Sequence, residues 1–554
     1  MSSSSSVAKE IVAAVKRTGT RHVFCVPGES YLATLQAFGE DPDITVVSAR
    51  HEEGAGLMAE AYAKATGKTG VCLVTRGPGL THLTIALHTA QQDSTPMLAI
   101  VGQVPNSVRY RESFQEMEIA EFCRPVSKWA AELNVAERVP ELVSRALYLS
   151  SEGRPGPVVL SLPEDIDRAE CAAPNVGEVK RFRAATSQAG IDTALDLLHA
   201  AKRPCIVAGG GVLKDGAGAE LIEFAEAISA PVYSGWRRFD VFPNSHPLYL
   251  GPLPTLPRPL YAPLYDADVI VAVGTRFDEF TSLAYGVPTS DQKLLFIAES
   301  PHSVEAFDAA SNAVVLTSDT LNALRQLNAQ LATIPRDDPK LNEIAEAKQA
   351  YVTATTPSAT PVSGAKLNLE AVMADLVNSV PTDTRITSDA GMFAGWLYRF
   401  FKWEEPGTFF GSTAGGMGYA VPSAIGVKLE NPSKPVIAFA GDGGFAMTMS
   451  ELETAVRHQL AGLVFLVFDN ARYGTIAKHQ DNAGMGGSVG TSLGEINFAG
   501  VAESMGAQGF TVTRTEDFAT ALASALSASR PAVIHLVMDN DTLDPWQSYS
   551  KGHK

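Results

Sequence analysis

The chain has 554 residues, 45% of them hydrophobic, and a formal net charge of −17. This composition describes a globular protein of several domains, three by length, and the negative charge argues against nucleic acid or an anionic membrane surface as partners. Five cysteines without metal-ligand spacing, a start (MSSSSS) with neither a basic nor an apolar signal segment, and no uncharged run of membrane-spanning length predict a reduced, cytoplasmic protein with no membrane association.

Residues 1–165 read as alternating strands and helices, with VCLVT, PMLAIVG and PVVLSL as strands that lack polar alternation, as strands buried on both faces do. Within this unit SARHEEGAGLMAEAYAKATG is a strand end followed by an Ala-rich helix that opens with two acids, Glu52 and Glu53. At helical spacing Glu52 shares a face with Ala55, Gly56, Ala59 and Ala63. Glu53 lines up with Leu57 and the i,i+4 pair Glu60 and Lys64, so Glu52 is expected on the packed face. Both acids are also what the helix dipole favours in a first turn. The stretch SLPEDIDRAECAAPNVGEVKRFRAATS then reads as a polar linker. A second unit, 188–333, holds PCIVAGGGV and DVIVAVGTRFDEF, again strands ending in turns, and fades into a helical piece and a Thr/Pro/Ser linker. The third unit, 367–540, precedes a C-terminal tail, 541–554.

That third unit contains PVIAFAGDGGFAMTMSELETAVRHQLAGLVFLVFDN. Two apolar runs around a helix-like segment at 450–460 make a β-α-β unit, whose right-handed crossover brings the carboxyl ends of both strands to one sheet edge. Asp442 and Asn470, 28 positions apart, are therefore expected to meet there. Their oxygens suit Mg²⁺ or Ca²⁺, and Gly441, Gly443 and Gly444 let backbone N–H groups approach a phosphate, so a metal-bridged diphosphate would satisfy both. Taken singly, Gly-Asp-Gly and Asp-Asn are ordinary turn residues.

The spacing of Gly441-Asp442-Gly443 and Asn470 resembles the diphosphate motif of thiamine-diphosphate enzymes. The order of VFCVPGES, RHEEGAG, TRGPGLTH, GQVPNS, SFQE and TAGGMGYAVPSAIG resembles the acetolactate synthase group over nearly the whole chain. The resemblance implies an α/β fold of three doubly wound parallel-sheet domains, namely pyrimidine-binding, central and diphosphate-binding. It implies thiamine diphosphate and Mg²⁺, with Asp442, Asn470 and the backbone carbonyl of Arg472 on the metal. Gly28, Gly391, Met392, Phe393, Gly415, Met417, Gly441, Gly443 and Gly444 are the implied cofactor contacts. In the family pattern Glu52 hydrogen-bonds the pyrimidine N1′, so that the cofactor's own imine acts as base. Gly415 offers a carbonyl to the aminopyrimidine and Met417 is the apolar wedge beneath it, although a Met in a Gly-rich loop also fills a core. Phe114 and Gln115 match active-site positions, Gln115 being able to bond a reacting oxygen. Arg76 replaces a commonly small residue and on its own reads as a surface arginine.

The implied reaction is decarboxylation of a pyruvate-like 2-oxo acid and carboligation to a second carbonyl, with small 2-oxo acids or aldehydes as substrates. The chain has no His-His pair, which counts against a simple decarboxylase. His479 stands where biosynthetic members carry a substrate-selecting Trp, and FIAESP replaces an acidic segment near FAD, so flavin is expected to bind weakly or not at all. The alternatives are a thiamine-dependent lyase or hydrolase of 2-hydroxy ketones, diketones or 2-hydroxyacyl-CoA, and a non-catalytic regulatory homologue. The joint presence of Glu52, Asp442 and Asn470 counts against the last. Family members complete each site with a second subunit, which implies a homodimer as the minimum and a homotetramer as the full assembly.

Overall fold

The computed structural model describes residues 4–172, 183–300, 304, 307, 313–331, 338–357, 367–485, 489–539 and 545. The predicted tail, 541–554, lies outside them apart from Pro545. Strands β1 (Ser4–Ser6), β2 (His22–Cys25), β3 (Thr45–Ser48), β4 (Gly70–Val74), β5 (Met97–Gln103), β6 (Trp129–Glu132), β7 (Pro157–Pro163) and β8 (Glu170–Ala172) come first. Six of them form a parallel sheet in the order β3-β2-β4-β5-β7-β6. The second sheet uses β9 (Pro204–Ala208), β10 (Val232–Ser234), β11 (Tyr249–Pro252), β12 (Val269–Val273), β13 (Lys293–Ala298) and β14 (Ala313–Thr317), in the order β11-β10-β9-β12-β13-β14. The third uses β15 (Arg385–Ser388), β16 (Phe409–Gly411), β17 (Val436–Gly441), β18 (Leu463–Asp469), β19 (Gln508–Val512) and β20 (Ala532–Val537), in the order β16-β15-β17-β18-β20-β19. Every residue of β4, β5 and β7 is buried, as crossover helices on both faces of a parallel sheet require.

The polar stretch read as a linker is partly structured. Glu164–Asp167 forms a helical turn, and β8 pairs antiparallel with β1, Ser6 lying opposite Glu170. Asp167 is buried and accepts the backbone N–H groups of Ala33 (2.8 Å) and Thr34 (3.0 Å), which fastens the turn to the first domain. A three-residue strand of serines has no apolar pattern, and its partner lies more than 160 positions away, so local sequence carried no sign of it.

Six helices position the candidate site: α1 (Glu52–Thr66), α2 (Arg76–Asp93), α3 (Ala420–Glu430), α4 (Asp442–Thr448), α5 (Glu451–Arg457) and α6 (Gly474–Asn482). α1 of the first domain packs so closely on α3 of the third that a Cβ on Gly426 would lie 2.3 Å from the Met58 carbonyl oxygen. One core therefore runs from Phe24 and Leu83 through Met58 and Ile425 to Val436 and Phe465, joining the two domains. Burying α1 between them also overturns the face argument for Glu52. Residues 54–63 are all buried, including Glu60, and the Glu60–Lys64 pair (2.8 Å) is an interior contact rather than a solvated one.

That pair belongs to a junction of all three domains. Lys64 also meets Asp93 (2.9 Å), Asp93 accepts from Arg238 (2.8 Å) of the central domain and from the Thr413 N–H (2.9 Å), and Tyr419 donates to Glu60 (2.8 Å). Burial raises the pKa of the Asp93 carboxyl, but the Lys64 and Arg238 charges outweigh it and hold that carboxyl well below its ordinary range.

Candidate active site

The β-α-β unit forms at the expected place. β17 and β18 are parallel neighbours with Gly441 opposite Phe468, so Asp442 and Asn470 leave the sheet at one edge. The connection differs from the single helix read at 450–460. α4 begins at Asp442 itself, and α5 follows and ends at Arg457. Close packing explains why this turn needs Gly-Gly: a Cβ on Gly444 would sit 2.0 Å from Asp389 Oδ2, and one on Gly443 2.5 Å from the Tyr473 ring.

A cavity of about 230 Å³ lies at this edge. Gly391, Met392, Phe393, Gly415, Met417, Gly441, Asp442, Gly443, Gly444, Asn470 and Arg472 all line it, together with Ala390, Phe468, Met538 and the start of α6 from Tyr473 to Ile476. Asp442 Oδ1 accepts the Gly443 N–H (2.8 Å) and Oδ2 the Arg472 N–H (3.2 Å), while the Arg472 carbonyl accepts from the Gly474 N–H (2.8 Å). Burial, reinforced by the neighbouring Asp469 carboxylate, pushes the Asp442 pKa up to about 7. Burial acts on Asp469 in the same direction, but hydrogen bonds from His535 Nε2 (2.7 Å) and the Ala471 N–H (2.9 Å) hold its pKa below normal. A buried carboxylate whose ionisation is this unfavourable, beside an Asn amide and a backbone carbonyl on one wall of a glycine-lined cavity, fits a hard divalent cation and the phosphate oxygens it would bridge.

Three residues that organise this cavity escaped the sequence reading. Asp389, at the end of β15, accepts from the Gly418 (3.0 Å), Tyr419 (3.3 Å) and Ala390 (2.9 Å) N–H groups, so one carboxylate ties the Gly391 loop to the Gly415–Met417 loop. Burial pushes its pKa up to about 6. Arg237 of the central domain bonds the Asp389 (3.0 Å) and Ser412 (2.7 Å) carbonyls and so braces the same two loops. Glu451, first residue of α5, accepts the Arg50 (3.1 Å) and His51 (3.0 Å) N–H groups and thereby seats the start of α1 on the third domain. Asp389 follows the largely polar run Arg-Ile-Thr-Ser and so lacked the apolar-strand signal that singled out Asp442. Arg237 and Glu451 act across domains and had none.

The first-domain candidates gather separately, at the carboxyl edge of β2 and β4. Glu52 opens α1, with its Oε2 2.8 Å from His82 Nδ1 and its Oε1 over Gly79, where a Cβ would approach to 3.4 Å. Gly28 abuts Thr75, and the Gly77 N–H bonds the Gln115 carbonyl (3.1 Å). Gln115 has φ of +63°, and the Phe114 side chain is 72% exposed. Arg76 is not a surface residue. It is buried, pairs with Glu29 (3.0 Å) and Glu164, and donates to the Phe114 carbonyl (3.4 Å). Glu53 turns toward the third domain, where a Cβ on Gly418 would lie 3.5 Å from its carboxylate, and burial followed by the Asp389 charge raises its pKa. Within one chain the cavity is lined by the third domain alone, so Glu52, Gly28, Phe114 and Gln115 are not brought to it.

Comparison with known proteins agrees with this architecture. The N-terminal, central and C-terminal domains of thiamine pyrophosphate enzymes match residues 5–122, 191–327 and 389–536. The acetolactate synthase large subunit of Corynebacterium glutamicum is 30% identical over 98% of this chain and 88% of its own length. Acetolactate synthase isozyme 3 large subunit of Escherichia coli is 30% identical over 94% and 92%. A solved structure from Mycobacterium smegmatis, assigned as a thiamin diphosphate-dependent enzyme, superposes with a TM-score of 0.83 at 25% identity, covering 97% of this chain and 99% of that one. With three matched domains, near-complete coverage and three six-stranded parallel sheets, the chain belongs to the thiamine pyrophosphate enzyme family, in its acetolactate synthase-like group.

Proposed function

We propose that this protein is a thiamine-diphosphate- and Mg²⁺-dependent carboligase that decarboxylates a pyruvate-like 2-oxo acid and joins the remaining acyl carbon to a second carbonyl. The observation that carries the reading is the glycine-lined cavity walled by Asp442, Asn470 and Arg472 in a chain whose relatives are acetolactate synthases. When bound, thiamine diphosphate supplies the carbanion-stabilising centre at which a 2-oxo acid loses CO₂ and its acyl carbon adds to a carbonyl. Asp442, Asn470 and the Arg472 carbonyl would hold the metal. Backbone groups of Gly391, Met392, Phe393, Gly443 and Gly444 would take the diphosphate, Gly415 and Met417 the rings. Glu52 would hold the proton of the pyrimidine nitrogen, and Gln115 and Phe114 would border the substrate.

Glu52 does not line the cavity of its own chain, so the complete site takes the first domain of one copy and the third domain of another. The exposed side chains of Phe114 and Tyr110 beside the Glu52 cluster, and of Met447 and Ile476 beside the cavity, support burial by a second copy. The assembly is a homodimer at least and a homotetramer in full. Among the described residues no helix is long and apolar enough to cross a membrane, and the five cysteines are free and buried, in keeping with a reducing cytoplasm. Flavin binding is weak or absent, since FIAESP stands where family members carry an acidic segment near FAD. The test is CO₂ release from pyruvate by the holoprotein. Release that requires both thiamine diphosphate and Mg²⁺ supports the reading, whereas cleavage of a 2-hydroxyacyl-CoA with no turnover of pyruvate would replace it.

A further inference from the structure

The Glu52 carboxylate has one partner that neither the family resemblance nor the reaction above assigns. His82, nearly two turns into α2, places Nδ1 2.8 Å from Glu52 Oε2, and its side chain is 50% exposed in the single chain. Its ring stacks on His51, with centroids 4.4 Å apart and planes 29° from parallel. His51 is itself fixed, because its Nδ1 accepts the Glu53 N–H (3.2 Å) as the N-cap of α1. The stack therefore holds the His82 ring in one orientation, Nδ1 toward Glu52 and the edge bearing Nε2 away from it. Beside a carboxylate the Nδ1–H tautomer is the one that donates, which leaves Nε2 as an acceptor for a solvent proton. Glu52 Oε1 stays uncovered because residue 79 is glycine. The donor atoms of His51, Glu52 and His82 lie within 4.8 Å of one another, but stacked rings do not converge tetrahedrally on one ion and His51 Nδ1 is already used.

We propose that His82 is the positioning and proton-passing partner of Glu52, holding the carboxylate through Nδ1 and exchanging protons with solvent through Nε2. This rests on the reading that Glu52 serves the cofactor pyrimidine. The cycle balances. Were Glu52 to give its proton to the ring nitrogen it faces, the carboxylate would be held by Nδ1–H; a water-derived proton would enter at Nε2 as Nδ1–H passes to Oε2, leaving a neutral carboxyl and the Nε2–H tautomer. The start would be restored when a proton returns from the ring nitrogen to Oε1, Oε2–H passes back to Nδ1 and Nε2–H leaves to water, so one proton enters and one leaves and no electron pair leaves the site.

The experiment compares wild type, His82→Asn, His82→Ala and Glu52→Gln by three readouts. In the protein without cofactor, ¹⁵N spectra of labelled imidazoles should show His82 protonated at Nδ1, a preference that Glu52→Gln weakens. Calorimetry should give thiamine-diphosphate affinities within about threefold of wild type for both His82 variants, because Asn keeps a donor near Nδ1 and Ala leaves the fold intact. Hydrogen–deuterium exchange at C2 of the bound cofactor should slow on the order of 10-fold in His82→Asn and His82→Ala. Added imidazole should restore it in His82→Ala and leave wild type unchanged. Exchange in His82→Asn within twofold of wild type, or His82→Ala unresponsive to imidazole, overturns the proposal while leaving the thiamine reading intact. Normal exchange in Glu52→Gln would sink that reading, and this proposal with it.

Discussion

Asp442 should make the metal-free protein sensitive to pH in a way that cation binding removes. Burial raises its pKa from 3.8 to about 7. At ~1.4 kcal/mol per pH unit, that difference amounts to ~4 kcal/mol between the folded and unfolded chains. An acid whose folded pKa is raised costs nothing below its unfolded value, and the cost grows as pH rises until it is complete above about 7. Between pH ~5.5 and ~8 the expected loss is ~2 kcal/mol of that total. Asp442→Asn cannot ionise and lacks this loss. It gives up one of the two backbone hydrogen bonds to the carboxylate, a penalty of ~1–3 kcal/mol that does not vary with pH. Thermal unfolding in EDTA should therefore show the gap between wild type and variant moving in the variant's favour by ~5 °C from pH ~5.5 to ~8, for a domain of this size. Saturating Mg²⁺ and thiamine diphosphate should reverse the order at pH ~8, because the carboxylate binds the cation more strongly than the neutral amide that replaces it. A gap that stays constant across this pH range would refute the burial argument.

Other outcomes follow from individual contacts. Asp442→Ala and Asn470→Ala should each weaken thiamine-diphosphate binding at limiting Mg²⁺, which calorimetry measures; unchanged affinity in both would remove the metal assignment. Gly444→Ala forces a Cβ to within 2.0 Å of Asp389 Oδ2, so the Asp389 bridge must break, with a stability loss of ~1–3 kcal/mol read by denaturation and a weaker grip on the diphosphate. Asp93→Ala leaves the buried Arg238 without its carboxylate, while Lys64 keeps Glu60, and should cost ~3–5 kcal/mol. Because the Asp93 pKa is held low, the stability it contributes is present above the ordinary Asp range and is lost only as the pH falls below it. Purified protein should lack a stoichiometric yellow chromophore, and finding one would reverse the flavin proposal.

The diphosphate half of the site was legible because its signal is local. An apolar strand ending in Gly-Asp-Gly and a second ending in Asp-Asn can only meet at a carboxyl edge, and β17 and β18 put them there. Glu52 was reached through the family resemblance, whereas the argument from helical faces failed because α1 is enclosed by both its own sheet and α3 and has no solvated face to compare. The contacts that hold the two halves in register were not legible. Glu451 under the start of α1, Arg237 behind Asp389, and Arg238 on Asp93 are single side chains reaching between domains, and no period or spacing in the sequence marks them. The pairing of β1 with β8 was hidden for the same reason.

Incubation of the holoprotein with ¹³C-labelled pyruvate, followed by NMR, tests the proposed reaction most directly. The fold, the Asp442–Asn470 edge and the relatives together predict a new carbon–carbon bond, with one CO₂ lost for each pair of pyruvates joined and no product when Mg²⁺ is withheld. Free acetaldehyde as the sole product, or unchanged pyruvate in a protein saturated with thiamine diphosphate and Mg²⁺, would contradict it.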